Sequence, residues 1–305
     1  MTKNRVSELA TMKNVGVNLN MRTTKNTGWI KLNNGRLMPP IGIGTWQIPA
    51  SDDLVKSLVQ ALQTGYRYID TAAIYENEEC VAEAIKQSGL ARKDLFICSK
   101  SWATERTYDA VLSAFDATLK RLQLDYLDCY MIHWPFTKGD PLAWQSVNIG
   151  TWRAFERLYD EGLVKTIGVS NFQMHHLVSF LARANVAPAI DQLEFHPGYM
   201  QKNTVAFCEK NGIKIQAWSP LAHGTVLEVP LLVELSEKYG KTVPQVILRW
   251  CRHHNTVPVV RAMTAEHQKE DLGIFDFELE SKDIDRIDAL PQMGFSGLEP
   301  DHVSF

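Results

Sequence analysis

The sequence predicts an α/β fold, a (β/α)8 TIM barrel with an N-terminal β-hairpin lid. Short apolar runs alternate with helix-patterned segments along most of the chain, giving eight strand-then-helix units. Turn residues close most of the helical stretches, among them Gly65, Gly89, Gly162, Gly212 and Gly240. With 305 residues, 45% of them hydrophobic, the chain can bury one large core, and barrels of this size count as single domains.

Residues 1–27 carry Lys3, Arg5, Lys13, Arg22 and Lys25 against the single acid Glu8. Lacking a clear amphipathic pattern, they are expected to form a disordered extension, with one barrel domain over 28–305. The stretch WIKLNNGRLMPPIG opens that domain with an Asn-Gly turn between two short strands. Strands are then expected at 41–45, 66–70, 95–100, 127–133, 166–170, 189–194, 214–219 and 256–261. Helical spacing links Leu54, Leu58, Ala61 and Leu62, then Val111, Phe115, Thr118 and Leu122. It returns at Phe155, Leu158 and Leu163, and at Val233, Leu235 and Tyr239.

Composition removes several function classes. A formal net charge of −3 gives no basic field to gather nucleic acid or an anionic membrane. No apolar stretch approaches the length of a membrane span. Cys80, Cys98, Cys129, Cys208 and Cys251 are scattered without a C-x-x-C, which reads as free thiols of a reducing, cytoplasmic compartment. A small-molecule partner and a monomer are the expectation.

In a barrel, side chains at the C-terminal strand ends converge on one mouth whatever their separation in sequence. Asp70, Lys100, His133, Ser170 with Asn171, Gln192 and Ser219 stand at such ends. In IDTAAIYENEE, Tyr75 follows Asp70 just past the second strand, within reach of the mouth. A free phenol titrates near pH ~10 and is a poor acid at neutral pH, but a neighbouring ammonium favours its ionised form. Lys100 is that ammonium, Asp70 holds it, and His133 can polarise a carbonyl oxygen. The set suits protonation of a carbonyl becoming an alcohol, with Tyr75 as general acid. No side chain delivers hydride, so a nicotinamide cofactor is required. GIGTWQ lacks the last glycine of G-x-G-x-x-G, which speaks against a Rossmann site. Trp218 offers an aromatic platform, with Ser170, Asn171 and Gln192 as carboxamide partners.

At these positions the chain resembles the aldo-keto reductases. GIGTW, DTAAIYENEE, SKSW, DYLDCYMIHWP, IGVSNF, DQLEFHP and AWSPLAHG match the family's segments in order. The short tail is similar to that of microbial members related to diketogluconate and prostaglandin F reductases. The resemblance implies NADPH lying extended across a barrel mouth, and Asp70, Tyr75, Lys100 and His133 as a catalytic tetrad. It implies Ser170, Asn171 and Gln192 on the carboxamide, Trp218 on the nicotinamide, and Trp46, Trp102 and Trp134, with Tyr75 and His133, around the substrate. Thr45, Trp46, Asp70, Ser219, Leu221, Met263 and Thr264 are further cofactor positions. With Phe136, the tryptophans suggest a flat apolar pocket accepting aromatic aldehydes and α-dicarbonyls alike.

One segment departs from the family pattern. VRAMTAEHQKED has Arg261 for the usual lysine, Ala262 for the hydroxyl and His267 for an arginine. Arg261 keeps a permanent cation for a ribose 2′-phosphate, whereas Asp271 adds a negative charge that opposes it. NADPH is expected to be preferred by a reduced margin, with NADH usable.

His175–His176 and His253–His254 lack metal-ligand spacing, so no metal is expected. Glu78 and Glu79 read as helix openers, and Ser219 lacks a nucleophile-elbow setting. Two other classes stay open: a Schiff-base aldolase using Lys100, and a nucleotide-binding regulatory protein with little turnover.

Overall fold

The computed structural model describes residues 28–135 and 143–303. The expected extension over 1–27 and the pocket position Phe136 lie outside the described residues. Strands β1 (Ile30–Lys31) and β2 (Leu37–Met38) pair antiparallel as the expected hairpin. Eight parallel strands then close a barrel: β3 (Gly42–Gly44), β4 (Tyr68–Asp70), β5 (Phe96–Ser101), β6 (Cys129–Ile132), β7 (Ile167–Ser170), β8 (Ile190–Glu194), β9 (Lys214–Trp218) and β10 (Val257–Val260). The last strand pairs back onto the first, Val259 beside Gly42.

Each strand is buried on both faces, which is why it reads as a continuous apolar run. Outward residues such as Ile43, Ile69, Ile97, Tyr130, Ile132, Ile167 and Val169 pack under the helices. Inward ones, including Tyr68, Phe96, Cys98, Cys129, Met131, Ile190 and Val259, fill the barrel with Leu32 and Met38 of the hairpin. The hairpin covers the N-terminal end. Asn33 Nδ2 donates to the Pro188 carbonyl (3.0 Å) and Asn34 Nδ2 to that of Lys165 (3.1 Å), both just before strands begin. The lid is therefore a floor, and among the described residues the opposite mouth is left open.

Helix ends follow local chemistry. Ser51 accepts from Leu54 N to start α1 (Asp52–Thr64), and Gly65, at φ 131°, stops it. The next helices are α2 (Glu78–Ser88), α3 (Tyr108–Leu122), α4 (Ala143–Asp160), α5 (Met174–Leu181) and α6 (Lys202–Lys210). Two helices, α7 (Pro230–Tyr239) and α8 (Val243–His253), fill the seventh connection where a simple alternation expects one. Gly240, at φ 59°, ends α7, and the Thr242–Gln245 capping box starts α8 two residues later. Helices α9 (Ala265–Leu272) and α10 (Ser281–Asp288) follow. Among the described residues, no helix is long and apolar enough to cross a membrane.

Backbone presses closely on Gly168 of β7, where an added Cβ would lie 2.9 Å from the Ile190 carbonyl oxygen and 3.1 Å from Met131 Cγ. Backbone cannot give way cheaply. Gly168→Ala should cost about 1–3 kcal/mol of stability, seen as a lower urea midpoint; an unchanged midpoint would refute this packing account.

Candidate active site

Asp70 ends β4, and the chain turns at once through a single 3-10 turn, Ala73–Tyr75, closed by Glu76 at φ 54°. That turn brings Tyr75 back over the mouth. Lys100 lies one residue before the end of β5, and His133 directly follows β6. Lys100 Nζ donates to Asp70 Oδ1 at 2.5 Å and to the Thr71 carbonyl at 3.0 Å. The same ammonium sits 5.4 Å from the centre of the Tyr75 ring. Tyr75 Oη lies 3.3 Å from His133 Nε2. The four groups named from the sequence are thus brought together.

Their electrostatics differ from expectation in one respect. Burial pushes the Tyr75 phenol up to about 12, outweighing the Lys100 ammonium that pulls it down. The expected net lowering is not found in the free protein, and Tyr75 holds its proton firmly. Burial also works against the Lys100 charge, but the Asp70 carboxylate more than offsets it and raises the amine above its ordinary value. A permanently protonated Lys100 has no lone pair for a Schiff base, which removes the aldolase reading. Burial, then Lys100 and Arg106, hold the His133 imidazole well below its ordinary range, so the ring is neutral.

A cavity of about 720 Å³ opens at these groups, lined by Trp46, Asp70, Tyr75, Trp102, His133 and Trp134. Ser170, Asn171, Gln192, Trp218, Ser219, Leu221 and Arg261 line it as well. Trp218 Nε1 donates to Asn171 Oδ1 (2.8 Å), and the Trp46 ring meets Trp218 edge-on at 5.7 Å. Asn171 is spent internally: its amide nitrogen donates to the His133 carbonyl (2.9 Å) and to Ser170 Oγ (3.1 Å). Ser170 Oγ donates to the Gln192 carbonyl (2.8 Å). Asn171 and Ser219 hold left-handed φ angles of 64° and 49°, the kind of local strain that collects at functional sites.

Several positions fall elsewhere. Gln192 is not at a strand end, since β8 continues to Glu194. Its side chain lies inside the barrel and donates to Asp70 Oδ2 (2.8 Å). Thr45 is buried below the mouth, bonded to Thr71 and Asn77. Met263, Thr264 and His267 are exposed, with Thr264 capping α9. Asp271 turns inward, 5% exposed, and accepts from Tyr66 Oη (3.4 Å). Burial, then Glu270, raises its carboxyl to about 7, so at neutral pH the opposing charge expected beside a phosphate is weakened rather than full. Glu78 does open α2, yet it is buried and takes hydrogen bonds from Ser99 (2.6 Å) and Arg121 (2.7 Å).

His175 and His176 meet Asp301, whose Oδ1 is 3.0 Å and 2.9 Å from their Nε2 atoms. The Gln173 backbone N–H donates to His176 Nδ1 (3.0 Å). The neutral ring then keeps its proton on Nε2 and offers no lone pair there to a metal. Sequence reasoning missed Leu298 and His223, which also line the cavity, and Tyr68 beneath Asp70. The period of two along β4 puts Tyr68 and Asp70 on one face and is the signal that could have found Tyr68.

A model of the aldo/keto reductase family matches residues 40–292. A glyoxal reductase of Bacillus subtilis (strain 168) is 44% identical over 276 residues, 90% of this chain and 97% of that one. The crystal structure of an aldo/keto reductase from Brucella melitensis superposes with a TM-score of 0.81 at 42% identity, covering 86% of this chain and 98% of its own. A Bombyx mori aldo-keto reductase in complex with NADP superposes with a TM-score of 0.79 at 31% identity, covering 85% and 91%.

The depressed basicity of His133 is directly observable. Its imidazole resonances should not titrate between pH 9 and pH 6, roughly the range in which an ordinary histidine takes up its proton. A midpoint near pH ~6.5 would contradict the burial argument.

Proposed function

Because the chain belongs to the aldo/keto reductase family and reduces carbonyl compounds with NADPH, we propose that Tyr75 is the proton donor, with Lys100, Asp70 and His133 in support. The observation that carries this is the Tyr75 hydroxyl held 3.3 Å from a neutral imidazole, beside an ammonium anchored by Asp70. An oxygen about 2.8 Å from each of two donors set that far apart sits at the apex of a compact triangle. A substrate carbonyl there would be polarised by His133 Nε2–H and would face the Tyr75 proton.

The remaining lining of the cavity fits a nicotinamide nucleotide. The Trp218 ring is held by Asn171. The Gln192 amide nitrogen is used by Asp70 and Gln216, which leaves its oxygen for a carboxamide N–H. Arg261, exposed at the cavity edge, makes no ion pair among the described residues. When bound, the cofactor supplies the hydride that reaches the carbonyl carbon. Tyr75 transfers its proton to the oxygen as negative charge develops there, and Lys100 stabilises the phenolate left behind. Proton and hydride together account for the two hydrogens of the alcohol. Trp46, Trp102 and Trp134 keep bulk water from the reacting oxygen.

The substrates we infer are small aldehydes and α-dicarbonyls of the glyoxal kind, with aromatic aldehydes admitted by the tryptophan walls. Arg261 would read the ribose 2′-phosphate, and the inward turn of Asp271 weakens the expected opposition to it. The same reading takes the enzyme as a cytoplasmic monomer with one barrel domain over 28–305, in keeping with its free cysteines.

Tyr75→Phe should lower kcat about 10²–10⁴-fold while leaving NADPH binding nearly intact, and Lys100→Met should be comparably damaging. Retention of half the wild-type rate in Tyr75→Phe would remove it as proton donor. Arg261→Ala should weaken NADPH by about 1.5–3 kcal/mol and NADH hardly at all, measured as dissociation constants. Equal losses for the two cofactors would show that Arg261 does not read the 2′-phosphate.

A further inference from the structure

The geometry points to Tyr68 as a positioning residue for carbonyl reduction: its hydroxyl, lodged inside the barrel, fixes the Asp70 carboxylate so that the Lys100 ammonium stays beside Tyr75. The inference rests on the proton-donor reading of Tyr75.

Tyr68 is fully buried and lies two residues before Asp70 on the same inward face of β4. Its Oη donates to Asp70 Oδ2 at 2.8 Å and lies 3.0 Å from Gln216 Oε1. A hydroxyl has one proton, and the charged carboxylate is the stronger acceptor. Gln192 completes the arrangement, its two amide hydrogens going to Asp70 Oδ2 (2.8 Å) and Gln216 Oε1 (2.9 Å). Two donors thus occupy Oδ2, and Oδ1 is left to face Lys100 at 2.5 Å. A carboxylate can rotate about its last bond, and this one is prevented from doing so by what meets its far oxygen.

The barrel is built to admit this ring. Gly42 on the neighbouring strand has no side chain, and a Cβ there would lie 2.3 Å from Tyr68 Cδ1. Phe96 meets the ring edge-on at 5.1 Å. Burial, then the Asp70 carboxylate, push the Tyr68 phenol far above its ordinary value, so it remains a donor throughout the working pH range. Since Tyr68 has no exposed surface and does not line the cavity, it acts through Asp70 and Lys100 rather than on substrate.

The test is Tyr68→Phe, which keeps the ring in its Gly42 cradle and removes only the hydroxyl. We expect kcat to fall about five- to twentyfold, the scale of one hydrogen bond to a charged group partly compensated by Gln192. KM for the carbonyl and the NADPH dissociation constant should stay within about twofold, because the binding surfaces are untouched. In a Lys100→Met background, Tyr68→Phe should give no further loss of the single-turnover rate, since its effect is transmitted through that lysine. A wild-type kcat in Tyr68→Phe overturns the inference, and so does the same proportional loss in both backgrounds, the mark of a general structural effect. Failure of the underlying reading is distinct: it appears as activity in Tyr75→Phe, whereas an inactive Tyr75→Phe beside a normal Tyr68→Phe sinks this inference alone.

Discussion

A lysine with no exposed surface sits at the mouth of the barrel, and accommodating its charge organises what surrounds it. Lys100 finds a carboxylate at 2.5 Å and a carbonyl at 3.0 Å. Removing Asp70 would leave an uncompensated buried charge, among the most destabilising changes a core can suffer. Asp70 is in turn held by Tyr68 and Gln192, and Gln216 passes the chain of contacts on to Met38 Sδ (3.1 Å) in the hairpin. The polar column runs from beside the Tyr75 phenol to the barrel floor. Chemistry at one end and closure at the other therefore share one set of hydrogen bonds.

The tetrad illustrates how charge and burial divide the labour at such a site. The phenol is kept protonated by burial and so holds the proton that the proposed mechanism asks of it. In that mechanism the ammonium, 5.4 Å from the ring centre, gains in importance as the proton leaves. His133 is kept neutral by the same surroundings, so that it offers a hydrogen bond without adding a second cation.

The strands and their order were legible because a parallel barrel buries both faces of every strand, and the tetrad because converging strand ends collect polar groups. What escaped depends on neighbours distant in sequence. Gln192 was named among the strand ends although the expected strand ran to 194, and β8 does run on to Glu194, which is buried against His196 and Ser296. Asp271 was read as an exposed charge, since a letter does not tell whether a helix turns its side chain toward Tyr66. The doubling of α7 and α8 was written in Gly240 and Thr242, a stop followed by a start. Tyr68 was not singled out, because an aromatic in an apolar run is ordinarily packing.

The cysteines are almost wholly inside. Cys98 and Cys129 face each other across the registered pair β5–β6 within the barrel, and Cys208 and Cys251 are equally buried. Burial pushes the thiols of Cys98, Cys208 and Cys251 up, away from the thiolate form. Aldehydes and dicarbonyls are electrophiles that consume exposed thiolates. With the proposed substrates such molecules would gather in the protein's own cavity, and soft nucleophiles walled in and kept as thiols would then spare it from them; the barrel that brings the polar groups together at its mouth also encloses four of the five cysteines.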